Sequence, residues 1–326
     1  MIVCVIGCTG YLGSKISVHL NSQGHKVIGV CKKFPKKNKK FKKNFSKIIE
    51  GDITNLSVQK KILLSTFSTI IYTISLNQKD SEKNFYTSIN VNYIPLLNIC
   101  NYIQKKNLKI QIIYFSTTQV YGDYFNLKLI TEKTKKNPKN IYGLTHSMCE
   151  DILEEFSKYN DAKYTSLRLS NGYGYPELKS CNCWWLAIND FCADVQKKNQ
   201  IKISSNGTPI RDFIHISDIA LTVEKLLLLK KKIPKVLNLC SGKSISLLEI
   251  ADVVQKRSYT INKNPTLYIK GKKINKKNLI KKIYILKNKN RFRISNNEMK
   301  KLNIRTKIDI SSGIKKTLIE LERNNN

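Results

Sequence analysis

No stretch of the 326-residue chain approaches the ~20 consecutive apolar residues that a membrane-spanning helix needs, so no span is expected. The first apolar run has no basic leader before it. A secretory signal is therefore not expected, and the run reads as folded structure. The nine cysteines lack paired spacing apart from Cys181 and Cys183, and no histidines accompany that single C-x-C. This argues against a disulfide framework and a metal site, and for buried, reduced thiols in a cytoplasmic protein. An arginine-rich stripe, a zinc knuckle and a helix-turn-helix pattern are also missing. Their absence bears on the net charge of +35, from 58 basic against 23 acidic residues. Lysine, asparagine and isoleucine abound together along the whole chain, and all three have A/T-rich codons. Genome composition accounts for the excess better than a nucleic-acid partner does, and no specific nucleic-acid binding is expected. The positive field still favours anions, such as phosphorylated substrates or acidic membrane surfaces.

What is present is ample apolar material, 41% of residues, enough for one large domain or two coupled ones. Residues 1–6 are short, apolar and β-branched, a buried strand by pattern. A glycine turn follows, then helical periodicity over 11–22, with Gly24 where a helix C-cap falls. Further buried strands are expected over 25–33, 46–52, 68–75, 109–117 and 163–171, with helices over 81–106, 140–159 and 184–199. Ser246 and Glu249 form a capping box that opens one more helix. Strands alternating with helices predict an α/β fold, a doubly wound parallel sheet covered on both faces. After Asn171 the rhythm loosens. The division expected is a sheet domain over 1–171 and a smaller α/β lobe over 172–326, interleaved with the last sheet strands. Lysine-rich connectors lie at 32–43 and 270–289, and there is no internal repeat.

"VIGCTGYLGSKI" places Gly7, Gly10 and Gly13 three residues apart, between the first strand and the first helix. A dinucleotide site needs that context. The first glycine allows the turn, the second lets a pyrophosphate approach the backbone, and the third permits close packing of helix on strand. The helix N-terminus adds free N–H groups and partial positive charge. Thr9, Tyr11 and Leu12 complete the cofactor-facing turn of this Rossmann-type domain. An acidic residue ending the second strand would hold the ribose 2′-hydroxyl of NAD. That strand instead ends Cys31, Lys32, Lys33, and lysines suit a 2′-phosphate, so the cofactor is NAD or NADP with NADP slightly favoured. The competing reading leaves Lys32 and Lys33 as solvated members of a lysine-rich loop. Asp52, followed by Ile53 in "GDIT", falls where a carboxylate meets the adenine amine.

The ordered motifs resemble the extended short-chain dehydrogenases/reductases of the nucleotide-sugar epimerase/dehydratase type. They are the glycine ladder, "GDIT" at Gly51, "INVNYIPLLNIC" at Ile89, "FSTTQVYG" at Phe115 and "NIYGLTHS" around Tyr142. "RLSNGYG" at Arg168, "RDFIHISDIA" at Arg211 and "LNLCSGKSISLLEI" at Leu237 continue the series. The resemblance implies a Rossmann-type domain with a C-terminal substrate lobe, a sugar linked to a nucleoside diphosphate as substrate, a homodimer built on two helices per subunit, and a place in polysaccharide synthesis. It also implies hydride transfer at a sugar carbon assisted by a tyrosine, which Tyr142 matches, and a hydroxyl donor, which Thr117 matches. Asn171 matches a sugar or diphosphate contact, and Arg211 a bidentate diphosphate contact. Thr118 falls beside the substrate, and Arg291 or Arg293 is a candidate second phosphate contact. His215 and Asp218 match scaffold positions. Trp184 and Trp185 fall at the mouth of the lobe, for stacking or for packing.

The family's lysine, one helical turn after the tyrosine, is replaced by His146. A cation about 4.5 Å from the phenol, at an effective dielectric near 20, contributes roughly 3–4 kcal/mol, or about 2–3 pH units of tyrosine acidity. A neutral histidine supplies far less. Three readings stay open: a protonated His146 substitutes, another lysine reaches in, or redox activity is lost and the chain is a dinucleotide-binding regulatory protein. Thr118 and Gln119 stand where dehydratases of the family carry an aspartate–glutamate pair, and neither serves as acid or base at neutral pH. An epimerase or a keto-sugar reductase is the expectation that remains.

Overall fold

Alternation within the first strand builds the architecture. In a computed structural model, which describes residues 1–123, 127–159, 163–229, 232–287 and 291–325, β1 (Ile2–Ile6) sends Val3 and Val5 into one apolar layer. Cys4 and Ile6 point into another. A strand whose both faces are apolar must lie mid-sheet with helices above and below. It does: β1, β2 (Lys26–Cys31), β3 (Lys47–Glu50), β4 (Thr69–Tyr72), β5 (Gln111–Thr117), β6 (Tyr164–Leu169) and β7 (Val236–Leu239) form one seven-stranded sheet in the order β7-β6-β5-β4-β1-β2-β3. Every neighbouring pair is parallel. This is the doubly wound arrangement expected, with a topological switch between β1 and β4.

Helix α1 (Tyr11–Ser22) covers one face beside the helix Ile216–Leu228. The helices Leu56–Leu63, Ile94–Lys105 and α2 (Ile141–Tyr159) cover the other. Fully buried Ile16, Leu20, Leu96 and Ile99 pin these helices to the sheet. Each such side chain removed from water stabilises the fold by about 1.5–3 kcal/mol. A buried ion pair fixes α2 from below. Glu150 takes the Arg168 guanidinium at 2.7 Å and accepts from Ser116 Oγ at 2.6 Å, while Arg168 stacks over the Tyr121 ring at 4.7 Å. The helix carrying Tyr142 is thereby bolted to β5 and β6.

The second half contributes the last sheet strand, β7, and the helix that packs on α1, so the two parts interleave. The rest of 172–326 builds its own core from Ile188, Phe191, Ile201, Leu248, Val254, Leu267 and Leu318, with two three-stranded sheets. Tyr11 on α1 donates to Gly174 O at 2.8 Å and receives Asn189 Nδ2 at 3.3 Å. Lys15 meets Glu177 at 2.6 Å. The lobe is thus tied to the first helix.

One expected element breaks. Residues 81–106 are not one helix but Gln78–Lys83, Phe85–Ser88, a π-helical turn Ile89–Tyr93 and Ile94–Lys105. Asn84 is extended and its side chain caps Thr87 N at 2.8 Å, which starts a new helix; Pro95 then stands in the first turn of the next. The capping box at Ser246 and Glu249 forms as expected. All nine cysteines are buried and unpaired. Among the described residues no helix is long and apolar enough to cross a membrane. Lys289, at the end of the second lysine-rich connector, lies outside the described residues.

Candidate active site

A crevice of about 600 Å³ opens at the carboxyl ends of the strands, where a doubly wound sheet binds its ligands. It runs from Gly10, Tyr11, Leu12 and Gly13 past Ser75, Thr117, Thr118, Tyr142 and His146 to Asn171 and Arg211. A larger open depression, about 820 Å³ over Lys33–Lys40, is walled mainly by lysines and holds none of these groups.

The glycine end fits a pyrophosphate. Gly7 takes φ +92°, a left-handed conformation that favours glycine, and Gly10 N closes on Gly7 O at 2.9 Å. A Cβ on Gly13 would stand 2.2 Å from Gly7 O, so only glycine lets α1 approach the turn. Gly10 caps α1 with no side-chain hydrogen bond. The first-turn N–H groups are left for an anion.

Lys32 and Asp52 do not face the crevice lining. They pair with each other at 2.7 Å, which with the Thr54 hydrogen bonds holds the Asp52 carboxyl down at about 2. Ile53 is core, and its carbonyl accepts from Gln59 Nε2 at 2.8 Å. Thr9 lies in the turn, outside the lining, with its carbonyl 3.5 Å from Cys181 Sγ.

The chemistry sits at the start of α2. Asn140 Oδ1 accepts from Gly143 N at 2.7 Å, and Asn140 Nδ2 donates to Gln119 Oε1 at 2.7 Å. This cap brings Tyr142 over the end of β5. Ser75 and Thr117 stand beside its hydroxyl; burial holds the phenol above its ordinary value, and those two groups oppose the shift. Thr118 is buried and lines the crevice.

His146 is 2% exposed, and its ring stands edge-on to Tyr142 with centroids 4.6 Å apart. Its Nδ1 is 2.6 Å from Tyr114 Oη and its Nε2 3.1 Å from Ser75 Oγ. Burial pushes the imidazole down to about 3, so it is neutral at physiological pH and is not a substitute cation. The cations lining the crevice among the described residues are Lys139 and Arg211.

This has a consequence for stability. An unfolded histidine titrates near 6.5, whereas His146 and the buried His215 are both held near 3. Between those values the unfolded chain binds more protons, so stability is complete above pH 6.5 and declines as pH falls towards 3. Urea midpoints measured across that window should fall with acid, and His146→Gln should flatten the slope. An unchanged slope would mean that His146 titrates alike in the folded and the unfolded chain.

At the substrate end, Arg211 is exposed on the crevice wall and Asn171 Nδ2 donates to Asp212 O at 2.9 Å. Asp212 is buried and pushed up to about 6, despite accepting from Ser170, Ser241 and the Lys243 amide. It anchors the strand that presents Arg211. Arg291 lies outside the lining: its guanidinium meets Glu249 at 3.1 Å and Ser244 O at 3.3 Å. Trp185 lines the crevice, whereas Trp184 packs on Tyr175. His215 caps a helix at Ser217 N, and Asp218 accepts from Lys307 N and Ile308 N, both scaffold roles. Sequence reading missed Ser75 and Tyr114. Ser75 follows the fourth strand, and the rule that ligands meet strand carboxyl ends was the signal that pointed to it.

Comparison with known proteins agrees with this geometry. The NAD dependent epimerase/dehydratase family matches residues 3–240. UDP-glucose 4-epimerase of Lactobacillus helveticus is 28% identical over 284 residues, covering 78% of this chain and 81% of the relative. UDP-glucuronate 4-epimerase 2 of Arabidopsis thaliana is 25% identical over 235 residues, 67% of this chain; the match spans about half of that relative, 52%. The solved UDP-glucuronic acid 4-epimerase of Bacillus cereus, in complex with UDP-glucuronic acid and NAD, superposes with a TM-score of 0.79 at 19% identity over 99% of this chain and 100% of that one. The chain belongs to the NAD dependent epimerase/dehydratase family.

Proposed function

We propose that this chain is an NAD-dependent epimerase of a nucleoside-diphosphate sugar, with Tyr142 as its acid–base group. The observation that carries the reading is the Tyr142 phenol standing beside Thr117 in a crevice that joins the glycine turn to Arg211. The dinucleotide, when bound, would supply reversible hydride exchange with a sugar carbon. Gly10, Tyr11, Leu12 and Gly13 hold its pyrophosphate. Tyr142 accepts the proton of the hydroxyl being oxidised and gives it back, and Thr117 bonds the same oxygen. Asn171 and Arg211 hold the sugar diphosphate, and Thr118 flanks the sugar. Thr118 and Gln119 offer no carboxylate for dehydration. NAD is preferred to NADP because Lys32 is already paired with Asp52. Exposed Phe85, Tyr86 and Leu144 support a homodimer that buries them, and the nine buried thiols support a reducing compartment. UDP-glucose and UDP-glucuronic acid are the first substrates to try.

A second reading, a binding protein without turnover, is favoured by the neutral His146. Incubation with NAD and a panel of UDP-sugars, with products separated by chromatography, decides between them. Epimer formation supports the enzyme; NAD retained with no product from any sugar supports the binder. Arg211→Ala should raise KM about ten- to a hundredfold while kcat changes little, since one charge-assisted contact to phosphate is lost. Arg211→Lys should recover only part of it. Unaltered KM in Arg211→Ala would remove Arg211 from the substrate site.

A further inference from the structure

The family lysine is absent, yet the wall beside Tyr142 is not featureless. Ser75 Oγ lies 2.7 Å from Leu76 O and 3.1 Å from His146 Nε2, and it lines the crevice with Tyr142, whose ring stands 4.6 Å from that of His146. Proton positions follow from these partners. The Ser75 hydroxyl proton goes to Leu76 O, so Ser75 Oγ accepts from His146, which puts the imidazole proton on Nε2. Nδ1 is then an acceptor, and it receives Tyr114 O–H at 2.6 Å. Tyr114 is 1% exposed, and burial holds its phenol protonated. The imidazole is locked as one neutral tautomer from the core side.

Resting on the reading of Tyr142 as the acid–base group, we propose that Ser75 is a positioning residue that stabilises the deprotonated Tyr142 hydroxyl. Its O–H turns from Leu76 O to the phenolate, while His146 Nε2–H, oriented by Tyr114, keeps its oxygen in place. Each step conserves atoms: the Tyr142 proton passes to the substrate oxygen or the medium, and the Ser75 proton only changes acceptor. Two hydroxyl donors, Ser75 and Thr117, then face the phenolate where a lysine cation would have stood beside it. The other ionisable groups nearby are Tyr72 on β4, Cys149 and Glu150 on α2, Glu82, which accepts from Ile141 N at the start of α2, and Asp123, Lys139 and Arg211 on the crevice wall. Glu150 is neutralised by Arg168. Lys139 is the rival explanation, because a lysine there would act as a cation.

The test reads Tyr142 itself. Absorbance near 295 nm is titrated with alkali for the full chain and for Tyr142→Phe, and the difference gives the Tyr142 midpoint without any turnover. In Ser75→Ala the midpoint should rise by about one pH unit or more, the size of one lost charge-assisted hydrogen bond. Ser75→Thr should restore it, and Tyr114→Phe should raise it by less. With NAD and a UDP-sugar, kcat at neutral pH should fall about tenfold in Ser75→Ala with KM little changed. A midpoint unmoved in folded Ser75→Ala overturns the proposal. So does a rise in Lys139→Ala that Ser75→Ala does not show. Failure of the functional reading looks different: Tyr142→Phe keeps turnover, while the midpoint shifts stand.

Discussion

Tyr142→Phe should leave a folded protein that still binds dinucleotide but turns over a nucleotide sugar about a hundred- to ten-thousandfold more slowly. The size follows from the role. A positioned proton-transfer group contributes that range. Thr117 and Ser75 are alcohols far from their acidity at neutral pH, and His146 is engaged on both nitrogens. Folding should suffer little. The ring remains, and each hydroxyl that loses the phenol keeps another partner, Leu76 O for Ser75 and Gln119 N for Thr117. Stability should change by no more than about 1 kcal/mol. Steady-state kinetics beside thermal melts and NAD titration would separate the effects. Turnover within a few-fold of the parent would show that another group moves the proton.

Gly13→Ala should be the most damaging single methyl group in the chain for cofactor binding. The added Cβ would lie 2.2 Å from Gly7 O, 2.8 Å from Gly7 C and 3.0 Å from Thr73 Oγ1. Two of those atoms are backbone, so α1 must shift off the turn, and the N–H groups that receive the pyrophosphate shift with it. A forced backbone movement of this kind costs about 3 kcal/mol, and affinity for NAD should drop at least about a hundredfold. Gly24→Ala is the control. Gly24 has φ +81° but open space around its Cβ position, so it pays only the left-handed strain of about 1–2 kcal/mol and leaves binding intact. Calorimetric titration of both variants with NAD tests the contrast. Equal affinities in the two would mean that the turn does not hold the cofactor.

The sheet was legible because its strands are short apolar runs, and the run of glycines marked where the first helix begins. Tyr142, Thr117, Asn171 and Arg211 were placed by motif spacing, and the fold brings them to one crevice. Lys32, Asp52, Ile53 and Arg291 were read from position alone, and the sequence did not show their partners: Asp52 pairs with Lys32, and Glu249 with Arg291. The broken helix after residue 78 turned on Asn84, whose side chain competes with the backbone for Thr87 N. His146 shows the same limit. Its identity was plain, but its charge is set by burial, and its partners Tyr114 and Ser75 lie 32 and 71 residues away. Such partners leave no local periodicity to read.

Tyr11 reaches out of the first helix to Gly174 and Asn189, and Lys15 to Glu177. On the proposed reading, the helix that grips the dinucleotide is therefore joined by direct contacts to the lobe that holds the sugar. A change at Asn189, which reaches Tyr11 from the lobe, should be felt as a weaker hold on NAD. Collections of variants selected for new sugar preference should drift in cofactor affinity too, because altering one grip loosens the other.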